Sequence, residues 1–297
     1  MFDNINFSNI KIAQIELHNM CNLECPFCPR YLIMNKKIDG LVRIPLKILD
    51  FYLDEIIKHK NIDTLGLSGI NQPILTKEDI SLTNYIFEKV KSIRPDITIK
   101  LCTNGTTTKK LNYADIFDMN YDLQFFSRHS SDTFWVEDLM NELEKRNKKY
   151  TVYFNKKYEP EIIEFDNKKC IFKPDYLLLE NVPLENLKDV IKKYNFPIVN
   201  VDNVAWFLEK ETTSCKDICK QWILKMDSYG YLLPCNCSHS KYNVNLSYGK
   251  LYLENNEIKY EINKNRTFEI CEHCQIGFYT DGNTNFGYDN NYIKIER

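Results

Sequence analysis

The stretch IKIAQIELHNMCNLECPFCPR, residues 10–30, sets an apolar run directly ahead of three cysteines. IKIAQIEL is rich in isoleucine and reads as a β-strand, and Cys21, Cys25 and Cys28 then follow on the loop that leaves it. Soft thiolates spaced C-x3-C-x2-C can converge on one metal centre, and iron–sulfur clusters are the main tenants of such sites. Three cysteines on a four-iron cubane leave one iron without a protein ligand, free for another molecule. A zinc ion completed by a distant fourth ligand is the competing reading. The position of the cysteines disfavours it, because a loop leaving the C-terminal edge of a parallel sheet is where α/β folds bind their ligands.

Outward from this loop, strands and helices alternate to about residue 201. PLKILDFYLDEIIKHK repeats Ile48, Leu49, Tyr52, Leu53, Ile56 and Ile57 at helical spacing behind a proline suited to a first turn. IDTLGLS reads as strand, EDISLTNYIFEKVKSIR as helix and ITIKLCTNG as strand ending in a turn. The stretches KKLNYADIFDM, DLQFFS, SSDTFWVEDLMNELEKR, KYTVYFN, DYLLLEN, PLENLKDVIKKY and PIVNV continue the rhythm. About six β/α units fit, which predicts an α/β fold with a parallel sheet. From Thr212 onward the chain is rich in cysteine and turn residues, which predicts a small second domain packed directly on the first. The expected division is residues 1–205 and 206–297.

The 297 residues carry a net charge of -2, with 39 Lys and Arg against 41 Asp and Glu and no basic block, so nothing points to nucleic acid. No run approaches the ~18 apolar residues of a spanning helix and no basic leader precedes an apolar core, so the chain is expected to be cytoplasmic and free of membranes. The 11 cysteines, in a compartment that keeps thiols reduced, then point to metal binding.

At Cys21, Cys25, Phe27 and Cys28 the sequence resembles the radical S-adenosylmethionine (radical SAM) superfamily, whose pattern is C-x3-C-x-aromatic-C. The resemblance implies a partial (β/α)6 barrel and a 4Fe-4S cluster on the three thiolates, with SAM on the fourth iron. It also implies reductive cleavage of SAM to a 5'-deoxyadenosyl radical that abstracts a substrate hydrogen, with a flavodoxin or ferredoxin as reductant. After the second strand the superfamily often carries S-G-x-G-E-P; here Ser68, Gly69, Ile70, Asn71, Gln72 and Pro73 occupy those places. Gly69, Asn71 and Gln72 are therefore implied SAM contacts. Gln72 offers a neutral amide oxygen where the superfamily has a carboxylate, which implies a weaker hold on the SAM ammonium. The third strand ends in CTNGT and the fourth in FFSRH, where relatives contact SAM, giving Asn104, Ser127 and Arg128 as further candidates.

A second set, Cys219, Cys235, Cys271 and Cys274, is arranged as CKQW, GYLLPC and CEHC. By spacing alone it suits tetrahedral zinc or an iron–sulfur cluster equally. Beside the first motif it resembles the shortened SPASM domain called twitch, which implies one auxiliary iron–sulfur cluster, expected to be 4Fe-4S. Cys215 and Cys237 are alternative ligands or hydrogen donors to a substrate radical. Cys102 and Cys170 read as unligated buried thiols, and His18 as a satisfied core histidine. The layout is similar to that of the aminocyclitol (scyllo-inosamine) dehydrogenases, which implies oxidation of a secondary alcohol of a sugar or cyclitol. Modification of a ribosomal peptide by oxidation, crosslinking or epimerisation is the alternative, although only twenty residues precede Cys21, too few for an N-terminal peptide-recognition domain. A non-catalytic iron–sulfur or zinc protein is the alternative of another class.

Overall fold

The structure, a computed structural model, describes residues 2–23, 40–69, 71–104, 111, 115–116, 118–127, 141–149, 151–155, 161–165, 168–173, 223–234, 240, 244–266 and 292–296. Its first strands and helices follow the expected order: β1 (Ile12–Ile15), α1 (Leu46–Lys58), β2 (Thr64–Leu67), α2 (Lys77–Ile93), β3 (Thr98–Thr103) and β4 (Leu123–Ser127). Seven strands then follow the helical series: β5 (Thr151–Asn155), β6 (Glu161–Phe165), β7 (Lys168–Lys173), β8 (Ile223–Met226), β9 (Tyr231–Leu233), β10 (Gly249–Glu254) and β11 (Glu257–Ile262), and finally β12 (Tyr292–Glu296) makes the eighth.

All of them join one mixed sheet in the order β11-β10-β9-β8-β1-β2-β3-β4-β7-β6-β5-β12. The middle of that sheet, β8-β1-β2-β3-β4-β7, is parallel throughout, and antiparallel strands extend it on both sides. Among the described residues six strands form this parallel block, which fits the expected α/β fold, but two of them differ from those anticipated. KYTVYFN forms β5, which pairs antiparallel with β6 and β12, while the place beside β4 goes to KKCIFK as β7. The cause is a short hairpin: only Asp166 and Asn167 separate β6 from β7, and two residues of that type favour a tight reversal over a helical crossover.

The other newcomer, β8, lies beyond residue 206 and pairs parallel with β1, Gln14 opposite Lys225. Residues on either side of the expected division thus share one sheet, and the boundary at 205/206 itself falls outside the described residues. Tyr52 of α1 holds β8 in place: its hydroxyl donates to the Leu224 carbonyl at 2.7 Å and is fully buried, which pushes its pKa up. The hairpin from β8 to β9 turns at Gly230, whose φ of +84° suits glycine, and a Cβ there would meet the Leu251 carbonyl oxygen at 2.3 Å.

One face of the central sheet is covered by the two helices. Ala13, Ile15, Leu65, Leu67, Ile99, Leu101, Leu224 and Met226 are fully buried on it, against Leu49, Leu53 and Ile56 of α1 and Ile86 and Val90 of α2. Alternation along β3, with Ile99 and Leu101 buried and Lys100 and Cys102 half-buried, shows the sheet to be two-faced. No helix among the described residues is long and apolar enough to cross a membrane. Truncating Leu53 to alanine should cost about 2–5 kcal/mol in a urea titration. Ile93→Ala, at an exposed helix end, should stay within about 0.5 kcal/mol.

Candidate cofactor site

Parallel pairing brings the C-terminal ends of β8, β1, β2 and β3 to one edge, and the cysteine loop opens from it after β1. Asn19, fully buried, closes the neck of that loop. Its Oδ1 accepts from the Val42 backbone N–H at 2.9 Å, and its Nδ2 donates to the Gly40 carbonyl at 3.0 Å and to the Tyr229 hydroxyl at 3.2 Å. Backbone bonds from Asn19 to Val42 and from Ile44 to Leu17 complete the closure. Entry and exit of the segment bearing Cys25, Phe27 and Cys28 are therefore fixed side by side. Those three residues themselves lie outside the described residues.

Beneath the neck sits a buried carboxylate. Asp79 is fully buried and accepts from the backbone N–H groups of Leu75 and Thr76 at 3.0 and 2.9 Å and from the Thr76 hydroxyl at 3.0 Å, forming a capping box at the start of α2. The Arg43 guanidinium donates to it as well, and His18 Nε2 lies 3.6 Å away. Burial alone would raise its pKa, but hydrogen bonds from His18, Arg43 and Leu75 outweigh that and hold the carboxyl well below the usual range. His18 also accepts from the Met20 N–H through Nδ1 and meets the Pro73 carbonyl through Nε2 at 3.3 Å. It is a satisfied core histidine, as expected, and it ties the cysteine loop to the loop after β2.

In that second loop Gln72 and Asn71 behave differently. Gln72, 1% exposed, is engaged by the protein: Nε2 donates to the Thr103 hydroxyl at 2.6 Å and the Ile74 carbonyl at 3.2 Å, and Oε1 accepts from the Asn104 N–H at 2.8 Å. Only one lone pair of Oε1 is left over. Asn71 has both amide atoms buried with no partner among the described residues. An orphaned amide of this kind costs free energy unless a ligand completes it. Gly69 is also constrained, since a Cβ there would meet Glu16 Oε2 at 2.0 Å. Glu16 cannot swing aside freely, being fully buried and paired with Lys225 at 3.1 Å, with Ser228 Oγ at 3.4 Å. Gly69 thus serves packing of the loop on β1.

Asn104 leads from β3 to the cysteine loop. Its Nδ2 donates to Asn22 Oδ1 at 3.0 Å and lies 3.7 Å from Cys21 Sγ, which the Leu23 N–H also approaches at 3.5 Å. Hydrogen bonds of this kind orient a thiolate ligand and tune the metal it holds.

No protein-family model matches the chain, and no curated protein matches it. Among solved structures, BtrN in complex with AdoMet and 2-DOIA is similar to it with a TM-score of 0.49 at 13% identity, over 81% of this chain and 78% of that one. Selenomethionine BtrN in an open conformation is similar with a TM-score of 0.44 at 11% identity, over 81% and 75%. These likenesses assign no family.

The structure brings together Cys21, Gly69, Asn71, Gln72 and Asn104 among the expected residues. Ser127 ends β4, its side chain outside the description, and Arg128, Cys215, Cys219, Cys235, Cys237, Cys271 and Cys274 lie outside the described residues altogether. Among the described residues no three metal-ligating side chains converge, since Cys21 is the only one of its triad described. Cys102 is in no disulfide and is half-buried rather than enclosed. Asn19, Asp79, Glu16, Lys225 and Tyr229 were not legible in the sequence. Only Asp79 carried a local signal, the T-x-x-D of a helix start.

Asp79→Asn should lower stability by about 3 kcal/mol at pH 7, because Arg43 would keep its charge with only the exposed Glu78 carboxylate, 3.7 Å away, as partner. The folded carboxyl lies below its unfolded value, so its contribution is complete above about pH 5 and fades as pH falls toward the folded value. The gap between wild type and variant in denaturant titrations should accordingly shrink from pH 7 to pH 3.

Proposed function

We propose that the chain is a radical SAM oxidoreductase, with Cys21, Cys25 and Cys28 holding a 4Fe-4S cluster that carries SAM. The observation behind this reading is the surroundings of Cys21: a sulfur at the C-terminal edge of a parallel sheet, faced by the backbone N–H of Leu23 and the side-chain NH2 of Asn104, on a loop clamped at both ends. The residues present fit the cofactors, since Asn71 offers a buried, unpartnered donor and acceptor beside that edge. When bound, the cluster and SAM supply hydrogen-atom abstraction from carbon.

The protein's own part is positioning. Asn19 and the Asp79 cluster fix the cysteine loop, and Gln72 braces the loop after β2 against β3. Asn71 is assigned to the polar head of SAM, with its amide oxygen for the ammonium and its NH2 for the carboxylate. Gln72 adds at most its remaining lone pair, so it is a positioning residue more than a contact. Ser127 and Arg128 at the end of β4 are assigned to SAM on the resemblance alone, as is Phe27 to packing beside the cluster. Cys219, Cys235, Cys271 and Cys274 would hold an auxiliary cluster, which would supply an acceptor for the electron left on the substrate, with Cys215 and Cys237 as replacement ligands or hydrogen donors. The net reaction is then oxidation of a secondary alcohol, with a flavodoxin or ferredoxin feeding the first cluster. The clamp connects the two regions, because Tyr229, which bonds Asn19, sits one residue before the Gly230 that opens the GYLLPC run.

Iron, acid-labile sulfide and 5'-deoxyadenosine should be measured on anaerobically reconstituted protein beside the Cys21/Cys25/Cys28 triple alanine variant. The expected result is about eight irons in wild type and about four in the variant, with 5'-deoxyadenosine formed by wild type alone. Equal 5'-deoxyadenosine in both would overturn the cluster assignment, and iron near four in wild type would remove the auxiliary cluster. Iron without any 5'-deoxyadenosine in wild type would favour an electron carrier.

A further inference from the structure

The sheet face opposite the helices is lined by polar groups. Strand register places Lys225, Gln14, Gly66 and Lys100 in one row across β8, β1, β2 and β3. Two residues further along each strand, Glu16, Ser68 and Cys102 lie on the same face. Most of these groups are satisfied within the protein. Lys225 pairs with Glu16 at 3.1 Å, both fully buried, and Gln14 Nε2 donates to the Ser68 carbonyl at 2.6 Å and hydroxyl at 3.0 Å.

Lys100 differs. It is half-buried, and no hydrogen bond or ion pair reaches its ammonium among the described residues. Burial pushes its pKa down, opposed only by the more distant charges of Asp63 and Cys102. Asp63 stands exposed just before β2 and accepts instead from the Thr64 hydroxyl at 2.9 Å. A desolvated ammonium without a counter-ion is unfavourable, and an incoming anion removes that cost while gaining a charge-assisted hydrogen bond. Glu16 is paired with Lys225, and the buried Asp227, two residues beyond Lys225, accepts from the backbone N–H groups of Tyr229, Tyr231 and Ser240, so among the described residues Lys100 is the charge on this face without a hydrogen-bonded partner.

We propose that the polar face of the central sheet is an anion-recognition site in which Lys100 holds a carboxylate or phosphate of the substrate. Calling the anion's owner a substrate rests on the functional reading above. Position separates this site from the SAM edge: Lys100 lies four residues before Asn104, about 13 Å lower along β3 at the usual strand rise. A molecule whose anionic end sits at Lys100 would present its other end to the cysteine loop, which makes the substrate class an acid or phosphate ester several ångströms long. The same chemistry has a second source, the carboxylate of SAM itself, and the test distinguishes the two.

Titration calorimetry on the full chain, with inorganic phosphate and separately with SAM, should compare wild type, Lys100→Met and Lys100→Arg, each checked for an unchanged thermal transition. Phosphate should bind wild type and Lys100→Arg alike and weaken about tenfold or more in Lys100→Met, the loss expected for one charge-assisted hydrogen bond. SAM affinity should be the same in all three. Phosphate that binds wild type and Lys100→Met equally, or does not bind wild type, overturns the proposal. So does SAM affinity falling in Lys100→Met, which would give Lys100 to the SAM carboxylate. The phosphate arm needs no iron, so failure of wild type to bind SAM would count against the radical SAM reading and leave the anion site standing or falling on its own result.

Discussion

The carboxylate of Asp79 is the interaction on which the rest of the candidate site depends. It is fully buried, so leaving its charge unpaired would be costly, and it is surrounded on all sides by donors: the N–H groups that open α2, the Thr76 hydroxyl, Arg43 and His18. These donors come from three parts of the architecture. Arg43 belongs to the segment leaving the cysteine loop, His18 to the segment entering it, and Leu75 and Thr76 to the loop after β2. One charge therefore sets the relative positions of three segments, and Asn19 and Gln72 continue the same work with neutral hydrogen bonds nearer the edge.

The two faces of the sheet divide labour in a similar way. Stability resides on the helix-covered face, where isoleucine, leucine and valine side chains are excluded from water. The opposite face carries an internal ion pair, an amide and a thiol together with Lys100, which has no ion-pair partner among the described residues, a composition that adds little to stability and much to recognition. Buried polar groups of this sort are tolerated because nearly all are satisfied. Among the described residues the exceptions include the Thr83 hydroxyl on α2 and, near the site, Asn71 and Lys100, where ligand groups are proposed.

Legibility followed the range of the interaction. α1 and α2 were readable because their apolar residues recur at helical spacing; the T-x-x-D start of α2 is a further local signal that the reading did not use. β1, β2 and β3 were readable because each is a short apolar run between helices. β7 and β8 were not anticipated as members of the parallel block. The strand β7 hides behind a two-residue reversal, and β8 lies in a stretch dominated by cysteines and turn residues, where periodicity has too few residues to register. Gln72 read as a ligand contact because its motif position suggested one. Its actual partners, Thr103 and Asn104, stand about thirty residues away and are invisible to local pattern.

Sequence alone determined the spacing of the first cysteine triad, the strand that precedes it and the helices that follow, because these depend on residues within a few turns of one another. Tertiary structure decided that β8 lies against β1 and that Tyr229 bonds Asn19 across 210 residues. It also decided that, among the described residues, Asn71 keeps an amide without a partner while Gln72 does not, and that Lys100 has no hydrogen-bonded counter-ion. The physical reason is that backbone periodicity is a local property, whereas the pairing of a buried polar group depends on which distant segment the hydrophobic core brings beside it.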